Sequence, residues 1–325
     1  MQKILTVLVA FGVAVAGGAV APSLVTADES SGTTISSCTT ISEPGHYTLG
    51  GDLTNATEGS CLQIASGNVT IDGAGHTVAG SGNGTAIDVS ADDELRQEPY
   101  QNVTVRDVRL ESWEKGISLV KTQNSTISRV EITNATTGVE LTRNAVNNVV
   151  ENNTITNTED GVLVVTIDKL DTGTNYIRQN DITNNTDAVD VTATTQEVVV
   201  EYNDLSGNKN GVHVHVPHAC IPGDEGSELV LIHQNDLGSN SAHGVFNEDG
   251  DGIHAERNYW GASDGPSSSE DPDAPFEGAS SSDIANGSGS AVNEDPNYFA
   301  HTNVHYYPYL EEPPADAGVQ NETAA

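Results

Sequence analysis

The densest group of side chains able to hold a metal ion is His213, His215, His218 and Cys220. Two imidazoles spaced two residues apart leave an extended strand by the same face, and the loop that follows can fold His218 and Cys220 over them. Imidazole and thiolate donors at that spacing suit Cu or Zn, although no standard zinc spacing is matched; the alternative is a polar strand face with no ligand. A second candidate is the series Glu151, Arg178, Glu201, His233 and Glu256, in which carboxylates alternate with Arg and His. Such a series offers the acid and base needed to cleave a polysaccharide, or else a solvated charge ladder that pins strand register. A third is the acidic Gly-rich turn from Asn247 to Gly252, whose oxygens could take Ca²⁺ and which also reads as a plain turn.

Whether these residues meet depends on the elements that carry them, and those elements repeat. The stretch VENNTITNTEDGVLV at 150–164 returns as IRQNDITNNTDAVDV from Ile177, VEYNDLSGNKNGVHV from Val200, IHQNDLGSNSAHGVF from Ile232 and AERNYWG from Ala255. Each copy holds two short bursts of alternating apolar residues around a polar turn, which is strand periodicity. The shared Asn falls at Asn153, Asn180, Asn203, Asn235 and Asn258, with Val108 and Val130 in the same slot earlier, so successive steps are 22, 23, 27, 23, 32 and 23 residues. A coil of that length cannot bury its own apolar face, but coils stacked at roughly 4.8 Å pair each strand with its equivalents above and below.

The predicted fold is therefore all-β, a single-stranded right-handed parallel β-helix. One inward column is Val105, Ile127, Val150, Ile177, Val200 and Ile232. A second is Ile155, Ile182, Leu205 and Leu237, and a third runs from Ile87 through Ile117, Val139, Val162, Val189 and Val212 to Val245. The five Asn residues form an internal structural ladder in which side-chain amides satisfy one another from coil to coil. The acid/base series then stacks on the outer face, next to a less regular column of Asp88, Ser118, Glu140, Leu163, Asp190 and His213. Carboxylates of that second column could bind Ca²⁺ or saccharide hydroxyls, with Leu163 interrupting it.

Together with the repeats, the opening CTTISEPGHYTLGGDLTNATEGSCLQI, the VTIDGAGHTVAG that follows, and the closing NYWGASDGP and NVHYYPYL resemble a known family. These are the secreted right-handed β-helix repeat proteins, including NosD-like copper-handling accessory proteins and many archaeal surface proteins. The resemblance spans roughly residues 34 to 310. It implies the fold and makes copper a ligand to consider, but the same scaffold carries lyases, hydrolases and binding proteins.

Along the chain, residues 1–27 read as a cleaved signal peptide, with an uncleaved anchor the alternative, since Lys3 precedes an apolar run from Ile4 to Val20. Residues 28–60 form an N-terminal cap, 61–261 the β-helix, 262–310 an irregular C-terminal cap, and 311–325 a disordered tail. The expected product is secreted or held at the cell surface, with no membrane span after signal cleavage. In an exported chain, a Cys38–Cys61 disulfide would staple the first coil, contributing about 3 kcal/mol. Cys220 is left as a free thiol, an intermolecular partner or a ligand. Insertions that break the rhythm begin at Ala91, Asp168 and Pro217, and loops of that kind often build a binding face.

With 47 Asp and Glu against 12 Lys and Arg, the formal charge is −35. A surface of that sign excludes nucleic acid as a partner and fits an extracellular protein of a high-salt environment. Three function classes remain. The first is a non-catalytic acidic β-helix that binds cations, a polysaccharide or a surface glycan. The second is a polysaccharide lyase or glycoside hydrolase. The third is a copper-handling accessory protein.

Overall fold

The computed structural model describes residues 32–54, 59–90, 98–165, 173–192, 196–215, 230–248, 253–268, 285–292 and 304–320. Among them, an eleven-stranded sheet and a thirteen-stranded sheet are built entirely from strands of successive coils. Most sequence-adjacent strands go to different sheets, and within each sheet the neighbours are parallel, as in Val149–Glu151 on Thr174–Arg178 or Glu131–Thr142 on Thr154–Val165. This is the parallel β-helix. No helix among the described residues is long and apolar enough to cross a membrane.

The inward columns lie in register. Val105, Ile127, Val150, Ile177, Val200 and Ile232 pair in sequence along the smaller sheet. Ile87, Ile117, Val139, Val162, Val189, Val212 and Val245 do the same along the larger one. All are buried in one continuous core, and each such side chain contributes roughly 1.5 to 3 kcal/mol of transfer free energy.

Between the sheets the chain turns at the Asn slot. The residue before it adopts a left-handed conformation in every copy: Asn152, Gln179, Tyr202, Gln234 and Arg257 have φ between 54° and 60°. Side chains of that kind resist this region at a cost of about 1 kcal/mol or more, and the Asn ladder holds the turn in place. Asn180 Nδ2 donates to Val150 O and to Asn203 Oδ1 (both 2.9 Å), while its Oδ1 accepts from Asn153 N (2.9 Å). Asn203, Asn235 and Asn258 continue the pattern, and Asn153 Oδ1 caps the amide of Val130, the slot's earlier occupant. Two further amide ladders escaped sequence reading: Asn148 with Asn175, and Asn185 with Asn208 and Asn240.

In the N-terminal region, Thr33–Ile35 and Gly45–Leu49 supply strands to one sheet and Thr39–Ile41 to the other. The Cys38–Cys61 disulfide joins this turn to the next. At the far end, Val304–His305 extends the smaller sheet, with Tyr306 and Tyr309 packed against the core. Residues 311–320, expected to be disordered, run back along the coils. Their amides find outward acceptors at the turns: Gly318 N donates to Tyr202 O (2.9 Å), Val319 N to Asp181 Oδ1 (2.9 Å) and Gln320 N to Asn152 Oδ1 (3.3 Å).

Candidate metal centre

Strands of the larger sheet turn a corner at a small residue followed by Val or Ile: Gly116, Gly138, Gly161, Ala188, Gly211 and Gly244. The backbones of adjacent coils approach closely here; a Cβ on Gly211 would lie 2.5 Å from Gly244 O. Strict alternation places residues i and i+2 on one face, but the corner brings the residue before the small one and the residue two after it together on the outside. Lys115 and Glu140 show this first, with Nζ 2.8 Å from Oε1. Further along the sheet the same positions hold Asp160, Asp187, Asn210 and His243 in one register and Asp190, His213 and Phe246 in the other.

His213 and His215 do leave by one face, and their rings stack at 4.6 Å between centroids. Phe246 stacks on the other side of His213 at 4.7 Å. His213 Nδ1 lies 3.1 Å from Asp187 Oδ2, which fixes the ring. Its Nε2 is buried with no hydrogen-bond partner, with Glu248 Oε1 3.5 Å away. His215 Nε2 sits 2.7 Å from Asp190 Oδ1 and 3.0 Å from Thr192 Oγ1. Asn210 bridges the carboxylates to the next coil: its Nδ2 donates to Asp187 Oδ1 (2.6 Å), and its Oδ1 lies 2.9 Å from His243 Nδ1. Donor atoms of Asp190, His213 and His215 fall within 4.8 Å of one another, as do those of Asp160, Asp187 and Asp190.

The electrostatics follow from crowding. Burial pushes the Asp160 carboxyl up to about 7, reinforced by Asp190 and Asp187. Burial also works against ionisation of Asp187, yet hydrogen bonds from His213 and Asn210 hold it below the usual carboxylate range. The Asp190 hydrogen bond raises the His215 pKa, whereas burial, then His213, lowers that of His243. A buried imidazole nitrogen without a hydrogen bond, beside a second imidazole and carboxylates, is a costly arrangement for an apo protein. Asp190, His213 and His215 offer donor atoms that could hold a divalent transition-metal ion, with Asp187 as the carboxylate behind His213.

Of the sequence candidates, His213 and His215 are in this centre, while His218 and Cys220 lie outside the described residues, as do Asp249 to Gly252 of the acidic turn. The acid/base series is stacked outward on the smaller sheet and paired off. Arg178 Nη2 is 2.8 Å from Glu151 Oε2, His233 Nε2 3.8 Å from Glu201 Oε2, and His254 Nδ1 3.1 Å from Glu256 Oε1. Sequence reasoning missed Asp160, Asp187 and Asn210 as neighbours of the histidines. The available signal was the polar residue directly before each Gly-Val or Ala-Val pair.

The model of a family described as periplasmic copper-binding protein (NosD) matches residues 31–268. No curated protein matches the chain.

Proposed function

Because the chain belongs to the NosD family, we propose that it is an exported protein that binds copper through Asp190, His213 and His215. The observation that carries this reading is the buried Nε2 of His213, which makes no hydrogen bond and has Glu248 Oε1 3.5 Å away, beside the stacked His215 ring. Two imidazoles and carboxylate oxygen favour Cu²⁺; Cu⁺ prefers thiolate and thioether. The chain has a single Met, and two of its three Cys are joined in the disulfide. The net charge of −35 raises the local concentration of cations around such a centre.

Calorimetric titration of Cu²⁺ into chelator-treated protein tests the reading. One equivalent should be lost in the His213→Ala/His215→Ala variant, and an unchanged isotherm would dismiss it. A second reading, polysaccharide cleavage, draws on the same face. Three crowded carboxylates, one with its pKa near 7, can divide into a protonated acid and ionised partners. Release of reducing ends from acidic or neutral polysaccharides by metal-free protein would favour it; no release from any of them would remove it.

A further inference from the structure

A second pair of histidines lies on the other sheet, at its C-terminal end. The two-residue strands Ile253–His254 and Val304–His305 are parallel, with Ile253 opposite Val304 and His254 opposite His305. Ile253 and Val304 are buried, so alternation turns both imidazoles outward, where both are exposed. Their ring centroids are 5.4 Å apart and tilted by 31°. Two imidazoles that share one ion, each at a metal–nitrogen distance of about 2.0 Å, have ring centres about 5 to 6 Å apart. The carboxylate of Glu256 meets His254 at Nδ1, 3.1 Å away, which leaves Nε2 as the nitrogen for a ligand, the same carboxylate–histidine order that supports metal sites generally.

We infer that His254 and His305 form a second, solvent-facing site for an imidazole-seeking divalent ion, of the class of Cu²⁺, Ni²⁺ or Zn²⁺, with Glu256 orienting His254. Cu²⁺ binds such donors most tightly of the three. The two ligands are 51 residues apart (305 minus 254) and belong to different turns, so a bound ion is also a clamp. It ties the terminal segment, already held by the Ala255 N to His305 O hydrogen bond (2.8 Å) and the Tyr259 to Leu310 bridge, to the turn beneath it. The pair shares no residue with the Asp190–His213–His215 centre, so the two sites stand or fall separately.

The test uses the full chain, stripped with chelator and titrated with Cu²⁺ or Zn²⁺ alone. The His213→Ala/His215→Ala variant should retain one bound equivalent, which disappears when His254→Ala or His305→Ala is added. The His254→Ala/His305→Ala variant should conversely retain only the buried centre. Hydrogen exchange gives the second readout: at metal 100 times Kd, amides of Ala255 and Leu310 should exchange about a hundredfold more slowly in wild type and not in the His305→Ala variant. Equal stoichiometry with and without His254 and His305 overturns the site. Binding that leaves the exchange of Ala255 and Leu310 unchanged overturns the clamp. Loss of binding on removing His254 and His305, with none on removing His213 and His215, would keep this site and discard the buried one.

Discussion

The two outer faces of the β-helix spend their charged residues in opposite ways. On the smaller sheet, opposite charges stack in register and neutralise one another: Asp72 with Arg106 and Glu151 with Arg178, while Asp107 pairs Arg129 in the turns that follow its strands. On the larger sheet between Asp160 and Glu248, carboxylates and imidazoles crowd together, one carboxyl keeps its proton up to about pH 7, and one buried imidazole nitrogen makes no hydrogen bond. Regular alternation of sign along a column is what a register-pinning ladder needs, because each residue only has to satisfy the coil above and below. Crowding of like donors costs stability in the absence of a ligand, which makes this face the candidate for binding one.

The sharpest way to break this contrast is to remove ligands from one face and ion pairs from the other. His213→Ala/His215→Ala should weaken Cu²⁺ binding at the buried centre by more than about a hundredfold, beyond the loss typical of outer-shell changes. Glu151→Ala/Arg178→Ala should leave it unchanged. Since bound imidazoles must be deprotonated and Asp190 raises the His215 pKa above 6.5, Cu²⁺ affinity should climb as pH rises through that elevated value. Calorimetry at several pH values reads both effects.

Asp187→Ala removes the carboxylate that fixes the His213 ring and should weaken Cu²⁺ by about tenfold to a hundredfold, measured in the same titration. An equal loss from Asp72→Ala on the smaller sheet would erase the distinction between the faces.

The crowded face should also show itself in stability without metal. Asp160 titrates at about 7 when folded against 3.8 unfolded. Between those values the folded state holds the proton more tightly, so stability falls as pH rises through the window. Asp160→Asn, which resembles the protonated acid, should therefore melt higher than wild type at pH 8 and at about the same temperature below pH 3.8. The smallest effect belongs to the smaller sheet. Arg178→Ala should cost less than about 1 kcal/mol in chemical denaturation, because the pair with Glu151 is partly exposed.

Much of the fold was legible from particular residues. The recurring Asn marks a turn that can close only with its side chain inside, so Asn153, Asn180, Asn203, Asn235 and Asn258 gave the coil boundaries and the apolar columns followed by alternation. The Cys38–Cys61 link was legible because the two residues stand one coil apart. The site was half legible. His213 and His215 could be placed on one outer face, but alternation put Gly211 where the corner sets Asn210, and so hid Asp187 and Asp160. Residues 311–320 were misread because their anchor is made by backbone amides, which composition does not report.

By itself, then, the order of residues determined the winding: a 22 to 23 residue period, two apolar bursts per turn and a polar residue that must be satisfied inside leave few other ways to bury the core. What only the tertiary structure decided is which side chains become neighbours across turns. Asp187 meets His213 because strict alternation breaks at the small residue while the two strands keep register, and His254 meets His305 because strands far apart in sequence pair side by side. Those are properties of how backbones pack against each other, which strand alternation alone does not report.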